Sequence, residues 1–383
     1  MKLRITLILL MAAILPALGA CRRQPTKPAA NNNTPSSEAP AGGGAAQTGQ
    51  TYYFRGTISG NLPIEMVLVR DGESLKGAYF YPKVGKNITL TGSIDKDGNV
   101  SMTEADESGK QTGAFKGKWK AQTESPDTSL FEIEGKWSRP DGSKETDFLV
   151  SQQPFQFGDT VRVTPKVVRE NNKQQLYEIE AEYPQIDGDA RFEGFNKEAR
   201  SSMLREVAAF KSSEQVREGD QPLDVPAETQ NSSLNVSYDF RYATSDLISV
   251  EFAEATYSRG AAHGNLITEV LNYDVKNGKK LALADLFLPK SKYLTTIANY
   301  SMKELRERAK REDSMIFADS IENGAGPHAD NYRAVAITKN GLWITYDPYQ
   351  VAAYAAGPQH VLIPYSALKE IINPDGPIGV FAK

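Results

Sequence analysis

Few side chains in this sequence have the types and spacing that chemistry requires, and the histidines come first among them. His263, His328 and His360 are the only three histidines, and none lies within five residues of another. Zinc sites often take two ligands that are close in sequence, so a site built on a close histidine pair is excluded, and only residues distant in the chain could converge on a metal. We therefore predict no metal and no cofactor.

Ser366 and Lys369 have the Ser-x-x-Lys spacing of penicillin-binding enzymes, but the other motifs of that site are missing. Neither Ser-Asp-Asn nor Lys-Thr-Gly occurs in the chain, and those motifs supply the remaining groups. The sequence also has no nucleophile elbow, phosphate loop or dinucleotide fingerprint. Its carboxylates are scattered, and sequence alone does not tell whether two of them face each other as in a glycosidase. These observations predict a protein without catalytic activity.

The loop that carries His263 is the most distinctive stretch of the chain. A strand predicted over residues 247–257 leads into Tyr-Ser-Arg-Gly-Ala-Ala-His-Gly-Asn at residues 257–265, where glycine permits close approach of backbones. The histidine either ties this loop down or belongs to a ligand surface. Residues 346–365 are rich in tyrosine and small residues, which form either a contact surface or packing against the loop. The candidate binding residues are Tyr257, Arg259, His263, Asn265, Tyr349 and Tyr354.

The N-terminus resembles the signal peptide of bacterial lipoproteins. A short basic start precedes an apolar run at residues 5–15 that is too short to span a bilayer comfortably. Leu18-Gly-Ala-Cys21 then places small residues directly before the only cysteine, as a lipobox does. By that resemblance residues 1–20 are cleaved, and acylated Cys21 anchors the protein to a membrane. Arg22 follows instead of aspartate, which favours the outer membrane facing the periplasm; an ordinary cleaved signal with a chance cysteine is the alternative.

Length and composition restrict the remaining possibilities. A chain of 383 residues is longer than one typical core, so we predict two domains. The formal net charge of -4 argues against a surface for nucleic acid. The single cysteine excludes an internal disulfide. Residues 21–50 have the small, polar, proline-rich composition that is typical of a disordered tether.

Residues 51–155 have the pattern of an all-β domain. Short stretches of alternating apolar and polar residues are separated by turn signals such as Asp95-Lys-Asp-Gly98 and Pro140-Asp-Gly142. No stretch keeps a helical period, which predicts a barrel or a sandwich. The Asp95 stretch lacks the ligand spacing of a calcium loop, so a plain turn is predicted there. The aromatic residues of these strands either pack in the core or line a ligand groove.

In residues 161–383 strands and helices interleave, which predicts an α+β domain with a largely antiparallel sheet. Apolar residues at helical spacing predict one helix with Asn196 as its N-cap and another with Ser291 as its N-cap. The buried stripes of the two helices are Phe195, Ala199, Met203, Val207 and Phe210, and Leu294, Ile297, Ala298, Met302 and Leu305. Lys276-Asn-Gly278 predicts a hairpin turn.

Several of these motifs recur together in one protein family. They are the strand at residues 177–183 with Pro184, the Gly260-Ala-Ala-His-Gly264 loop, Asp285-Leu-Phe287, and the series Tyr349, Tyr354, Gly357, Pro364 and Tyr365. Through them, residues 165–370 resemble the extracytoplasmic domain shared by the anti-sigma factor RsiV and the N-terminal part of the peptidoglycan deacetylase PdaC. The resemblance implies the fold and, from RsiV, recognition of lysozyme. The membrane-spanning part of RsiV and the catalytic domain of PdaC have no counterpart here, so we expect neither the anti-sigma role nor the enzymatic part.

Our first hypothesis is a lipid-anchored, non-catalytic protein of the cell envelope that binds or senses a lysozyme-like protein or a peptidoglycan fragment. The family resemblance and the lack of a catalytic motif motivate it. One alternative is a hydrolase or deacetylase of envelope polysaccharide whose site includes His263 and nearby carboxylates. Another is a structural or assembly lipoprotein whose β domain docks an outer-membrane partner.

Overall fold

The computed structural model describes residues 49–122, 130–157, 161–215 and 230–382. The signal peptide, Cys21 and most of the tether predicted from the sequence lie outside the described residues. The described residues fall into a single compact unit, and the division into two domains at residues 155–161 stays a prediction. None of the helices in the described ranges is both long enough and apolar enough to cross a membrane.

Strands dominate the described ranges. The strands are β1 (Gln50–Ile58), β2 (Leu62–Asp71), β3 (Ser74–Phe80), β4 (Ile88–Ile94), β5 (Asn99–Ala105), β6 (Gln111–Ala121), β7 (Phe131–Ser138), β8 (Thr146–Gln152), β9 (Phe155–Gln156), β10 (Arg162–Asn172), β11 (Tyr177–Asp187), β12 (Ser232–Thr244), β13 (Leu247–Tyr257), β14 (Asn265–Asp274), β15 (Lys279–Lys280), β16 (Val335–Ile337), β17 (Gly341–Tyr346) and β18 (Gln359–Pro364). The helices are α1 (Glu193–Ser213), α2 (Tyr293–Ala309), α3 (Ile321–Ala325) and α4 (Tyr365–Leu368).

Strands β1 to β8 close into an antiparallel barrel, because β8 pairs back with β1. Their alternating sequences point every second side chain inward. The interior is filled by residues that include Phe54, Ile64, Met66, Leu68, Leu75, Tyr79, Leu90, Met102, Phe115, Trp119 and Val150. The barrel is therefore a packed core, and Tyr79, Phe115 and Trp119, which the sequence left between core and groove, belong to that core.

Two carboxylates of the barrel have local structural roles. Asp95 accepts hydrogen bonds from the backbone N–H groups of Asp97 and Asn99, as expected of a plain turn. Glu104 is buried, and its carboxylate accepts hydrogen bonds from the Tyr79 hydroxyl at 2.6 Å and the Trp137 indole N–H at 3.0 Å. A buried carboxylate with these donors keeps its polar atoms satisfied.

The second part of the chain is built on a large sheet with the order β10-β11-β12-β13-β14-β15, and β9 pairs with the end of β12. The pairs β11–β12 and β9–β12 are parallel and the others are antiparallel. The prediction of an α+β part with a largely antiparallel sheet is therefore confirmed. A turn at residues 275–278 joins β14 to β15, as the Lys-Asn-Gly sequence predicts.

Helix α1 covers one face of the large sheet, and its five predicted apolar residues are all buried. The predicted N-cap is wrong, because the helix begins at Glu193 and Asn196 lies inside it. The Asn196 side-chain amide instead exchanges two hydrogen bonds of 2.8 Å with the backbone of Ile186 in β11. A 3-10 turn capped by Asp189 runs directly into the helix and supplies the start that the sequence pattern assigned to Asn196.

The opposite face of the large sheet carries a small antiparallel sheet with the order β16-β17-β18, packed with α2. Side chains of β13 alternate between the two faces, so Val250 and Phe252 meet α1 while Ser249 points to the small sheet. The Ser249 hydroxyl accepts the backbone N–H of Ile337 at 3.0 Å, and the Asn272 amide donates to the carbonyl of Val335 at 2.7 Å. These buried hydrogen bonds set the register between the two sheets.

Helix α2 buries most of its predicted stripe, namely Ile297, Ala298, Met302 and Leu305, whereas Leu294 is only partly buried. Its predicted N-cap is also wrong. The helix begins at Tyr293 with Lys292 at the N-cap position, and the buried Ser291 hydroxyl has no hydrogen-bond partner in the described structure.

Candidate functional site

The loop between β13 and β14 is held by its own backbone and by two of the predicted site residues. The Tyr257 hydroxyl donates to the carbonyl of Ala261 at 3.0 Å, and the Arg259 N–H donates to the Ser232 hydroxyl at 3.0 Å. Gly260 has a φ of +75°, a conformation that favours glycine. The hydrogen bonds of Tyr257 and Arg259 therefore support the loop and keep its path fixed.

His263 stands exposed on this loop with one ring nitrogen tied down. Its Nδ1 lies 2.7 Å from the carbonyl oxygen of Gly264, and its Nε2 lies 3.4 Å from the Tyr349 hydroxyl. Because a carbonyl oxygen only accepts hydrogen bonds, the neutral ring carries its proton on Nδ1. Nε2 is then left with a lone pair that faces the tyrosine and solvent.

Three of the six predicted site residues come together, and we call His263, Tyr349 and Tyr354 the ring cluster. The His263 and Tyr354 ring centroids are 4.3 Å apart, those of Tyr349 and Tyr354 are 5.6 Å apart, and those of His263 and Tyr349 are 6.3 Å apart. The Tyr349 side chain is 60% exposed. The cluster is therefore an aromatic surface open to solvent that also carries hydroxyl and imidazole groups.

Tyr349 adopts a strained backbone conformation on a loop that its neighbours hold tightly. Its φ is +70°, which costs a non-glycine residue about 1–2 kcal/mol. The Gln350 side chain donates to the carbonyls of Gly324 at 2.8 Å and Asn331 at 3.1 Å. Asp347 accepts the backbone N–H of Thr268 at 2.9 Å, which joins this loop to β14. Strain maintained in this way is commonly found where a side chain must be presented for function.

Asn265 is the remaining predicted residue, and the structure does not bring it into the ring cluster by any recorded contact. It is exposed at the first position of β14, where its backbone pairs with Thr256. Its side chain makes no hydrogen bond to any residue of the described ranges. The loop thus presents His263 outward and leaves Asn265 beside it.

A carboxylate group that sequence reasoning missed lies between α1 and the large sheet. Glu206, Glu254 and Glu269 line a cavity of about 40 Å³, which has room for water but not for a sugar. Burial raises the pKa of Glu254 to about 7, and the negative charges of Glu206 and Glu269 add to the rise. The pairing of Glu254 with Ile267 and of Glu269 with Phe252 puts both glutamates on one face, a register that sequence alone does not supply.

Sequence reasoning also missed a hydrogen-bonded network of polar side chains around His360. Its Nδ1 lies 3.1 Å from the Thr345 hydroxyl, which donates to the buried Glu251 carboxylate at 3.2 Å. The ring stacks on Trp343 at 4.8 Å, and burial lowers the pKa of His360. Glu251 also pairs with Arg241 at 2.8 Å. This polar network lies between the two sheets and links them.

A metal centre has no candidate within the part of the chain that the structure describes. There, no three histidine, cysteine, aspartate or glutamate side chains are placed to hold an ion together. What the ring cluster can do chemically is hold a ring-shaped ligand and offer the His263 Nε2 lone pair as a base.

Comparison with protein families divides the second part of the chain in two. Residues 170–266 match a family described as deacetylase PdaC, and residues 284–366 match a family described as a protein of unknown function, DUF3298. The ring cluster takes His263 from the first matched segment and both tyrosines from the second.

Individual proteins are similar to parts of this chain. Over 179 residues the chain is 28% identical to the peptidoglycan-N-acetylmuramic acid deacetylase PdaC of Bacillus subtilis, which covers 47% of this chain and 37% of the relative. The chain thus matches well under two thirds of that protein's length. DUF3298 family crystal structures from Bacteroides fragilis (TM-score 0.40, 16% identity, 58% of this chain and 98% of that chain) and Pseudomonas aeruginosa (TM-score 0.41, 18% identity, 56% and 96%) are similar too loosely to carry an argument.

These matches confirm the resemblance to PdaC and correct one prediction. We predicted a protein without catalytic activity because no catalytic motif occurs in the sequence. The first family and the Bacillus relative are both named as deacetylases, so the prediction of a non-catalytic protein is wrong.

Proposed function

Because residues 170–266 match the family described as deacetylase PdaC and residues 284–366 match DUF3298, we propose that this protein deacetylates N-acetylated sugars of peptidoglycan in the cell envelope. The name of the Bacillus relative supports the reaction class. The observation that carries the proposal is the convergence of His263 with Tyr349 and Tyr354 in one exposed cluster. It joins a base to an aromatic surface.

The ring cluster suits a glycan. The C–H faces of a pyranose ring pack on aromatic rings, and its hydroxyl groups exchange hydrogen bonds with tyrosine hydroxyls. The Tyr349 side chain is 60% exposed, whereas Tyr354 is half-buried. Tyr354 lies beside both other rings, at 4.3 Å from His263 and 5.6 Å from Tyr349, so one sugar can contact all three.

The chemistry we propose is hydrolysis of the acetamide bond. His263 Nε2 takes a proton from a water molecule as the water oxygen bonds to the carbonyl carbon. The Tyr349 hydroxyl turns from Nε2 and donates to the oxyanion that forms. The C–N bond then breaks as the imidazolium returns the proton to the leaving nitrogen, which yields acetate and the free amino sugar.

Acetate release from N-acetylated glycan chains tests this proposal directly. We expect the mature protein to release acetate, His263→Ala to abolish the release, and Tyr349→Phe to slow it about 100-fold because one oxyanion donor is lost. His328→Ala is the matched control, since His328 is also exposed but has no place in the cluster. No release by the wild-type protein, or release that survives His263→Ala, would overturn the proposed reaction.

Calorimetric titration with the same glycan separates binding from chemistry. We expect Tyr354→Ala to weaken glycan binding about tenfold, because an aromatic contact contributes about 0.5–1.5 kcal/mol beyond its buried area. Saturable binding without acetate release would refute the proposed reaction but would support glycan binding at the ring cluster. Release that is unaffected by Tyr354→Ala would instead place the glycan elsewhere.

An extracytoplasmic location with a lipid anchor at Cys21 is part of the proposal. The lipobox-like sequence supports it, and an envelope polysaccharide is found only outside the cytoplasm. Mass spectrometry of the mature N-terminus should find acyl chains on Cys21, and Cys21→Ala should move the protein from the membrane fraction to the soluble fraction. An unmodified Cys21 would refute the lipid anchor but would not bear on the proposed reaction.

Recognition of a lysozyme-like protein is a second candidate function, and one observation favours it. Met315 and Phe317 are 51% and 48% exposed, and their segment is hydrogen-bonded to the loop that carries Tyr349. Together these side chains form an exposed apolar surface of the kind found in protein interfaces. Titration with a c-type lysozyme should give saturable heat that Phe317→Ser reduces; no heat would exclude this partner.

A further inference from the structure

A cleft of about 1000 Å³ opens at the end of the large sheet that lies farthest from the ring cluster. Leu247, the first residue of β13, lines it, whereas Tyr257 at the other end of the strand leads to the His263 loop. A strand rises about 3.3 Å per residue, so the two sites are about 33 Å apart. The function proposed for the ring cluster therefore leaves this cleft unexplained.

The walls of the cleft are fixed by backbone hydrogen bonds. The N–H of Val275 in the hairpin between β14 and β15 donates to the carbonyl of Asp246 at 2.9 Å. The N–H of Asn373 in the C-terminal segment donates to the carbonyl of Leu286 at 3.1 Å. Phe381 closes that segment by stacking on Tyr365 at 4.7 Å. A cleft whose three walls are tied in this way is already formed before a ligand arrives.

Charged side chains of both signs line the cleft. Asp246 and Asp375 stand on two walls, and Lys276 and Lys279 stand on the hairpin. Asp246 interacts electrostatically with the nearby Arg191, but none of these four side chains makes a hydrogen bond or an ion pair to a residue in the described ranges. Asp274, by contrast, is occupied, since both its oxygens accept from Asn277. The cleft thus offers free carboxylates and free ammonium groups together.

Aromatic residues complete the lining. Tyr242 and Phe381 contact each other edge to face at 5.6 Å, and Phe287 lies at the end of the Asp285-Leu-Phe287 motif. Ligand sites typically combine apolar walls with a few charged groups that fix orientation, in volumes of about 300–1000 Å³. The size, the walls and the charges of this cleft agree with that description.

We propose that this cleft binds a short peptide that carries a free ammonium group and a free carboxylate. The ammonium group pairs with Asp246 and Asp375, the carboxylate pairs with Lys276 and Lys279, and apolar side chains contact Tyr242 and Phe381. A ligand with only one charge would leave half of these groups unused. The peptides attached to peptidoglycan have this chemistry, and in that respect the inference deepens the proposed function. Its charge argument holds whether or not the ring cluster deacetylates a sugar.

Titration of the mature protein at low salt with the tripeptide Ala-Leu-Ala, its N-acetylated form and its C-terminal amide tests the assignment of charges. We expect saturable millimolar or tighter binding of the free peptide and about fivefold weaker binding of each blocked form, as expected for partly exposed ion pairs. The double variant Asp246→Asn, Asp375→Asn should weaken the free peptide about fivefold and leave the N-acetylated form unchanged. The double variant Lys276→Gln, Lys279→Gln should weaken the free peptide about fivefold and leave binding of the C-terminal amide unchanged.

Two controls keep this test separate from the ring cluster and from folding. Lys136→Gln removes an exposed lysine of the barrel and should leave peptide binding unchanged. His263→Ala should also leave it unchanged while it abolishes acetate release. No saturable binding of the free peptide at millimolar concentration, or equal losses for free and blocked peptides in the charge variants, would overturn the proposal.

Discussion

The rings of His263 and Tyr354 lie 4.3 Å apart although they stand on loops of two different sheets. His263 follows β13 of the large sheet, and Tyr354 lies between β17 and β18 of the small one. Their contact therefore depends on how the small sheet docks, which the Ser249–Ile337 and Asp347–Thr268 hydrogen bonds determine. Weakening the docking should open the cluster without altering any of its rings.

Replacing Tyr349 by glycine should separate strain from function. Glycine accepts the positive φ at no steric cost, so Tyr349→Gly should raise the free energy of unfolding by about 0.5–1 kcal/mol. The same change should weaken glycan binding about tenfold, because the ring is lost. Lys144→Gly is the matched control, since Lys144 is exposed with a φ of +51° on the barrel; it should stabilise similarly and bind normally. Loss of stability in Tyr349→Gly would show that the Tyr349 ring stabilises the fold by packing and is not held out for a ligand.

Gln350→Ala should loosen the Tyr349 loop without touching the ring cluster. The hydrogen bonds from the Gln350 amide to the part-buried carbonyls of Gly324 and Asn331 would be lost, at a cost of about 1–3 kcal/mol. We expect lower stability in urea unfolding and weaker glycan binding by calorimetry. Gln185→Ala breaks a hydrogen bond to Asp187 at the end of β11, away from the Tyr349 loop, and should leave binding unchanged. Normal binding by Gln350→Ala would show that the loop conformation does not matter.

Glu254 should make the protein less stable as the pH rises. Its pKa is about 7 in the folded protein against an ordinary value of 4.5, so the folded state holds a proton that the unfolded state has lost. The free energy of unfolding should therefore fall between about pH 4.5 and pH 7. Glu254→Gln should reduce this slope and stabilise the protein at pH 8 by about 1 kcal/mol, a value reduced for solvent screening. Part of the slope should remain, because burial also raises the pKa of Glu65 to about 8 and raises that of Glu269. The test is urea unfolding across this range.

Glu307→Gln is the control for that measurement. Glu307 is exposed, and its hydrogen bond from Lys310 lowers its pKa, so its contribution is lost only at a pH below its ordinary range. The slope between about pH 4.5 and pH 7 should survive this substitution. If Glu254→Gln leaves the slope of the unfolding free energy against pH unchanged, the slope comes from other groups.

Arg55 should be the charged residue on which the contact between barrel and large sheet depends most. Its guanidinium lies 2.6 Å from Glu182 of β11 and 3.3 Å from Glu65 of β2, and all three side chains are at most 25% exposed. Arg55→Met leaves the Glu182 carboxylate without its cation, whereas Glu65 can stay protonated because burial raises its pKa to about 8. We expect a loss of about 2–4 kcal/mol in urea unfolding. Lys136→Met breaks the exposed pair with Asp147 and should cost less than about 0.5 kcal/mol. Equal losses would contradict the role of burial.

Local pattern was enough to predict the elements of this fold. The strand at Leu247–Tyr257 and the buried stripe of α1 agree with prediction, because side-chain periods of 2 and 3.6 follow from the backbone alone. Both predicted N-caps were wrong, and for Asn196 the reason is a tertiary contact. A capping side chain can bond to any nearby backbone group, and the position of Ile186 beside Asn196 is set by tertiary structure.

By itself the sequence determined the order of strands and helices, the split between a β part and an α+β part in composition, and the six residues worth testing as a site. Only the tertiary structure decided that His263, Tyr349 and Tyr354 converge while Tyr257 and Arg259 support the loop. It also decided that Glu254 lies near the carboxylates of Glu206 and Glu269, and that His360 is buried near Glu251. The physical reason is range: periodicity acts between neighbours in the chain, whereas ring contacts and perturbed pKa values arise between residues that only sheet docking brings together.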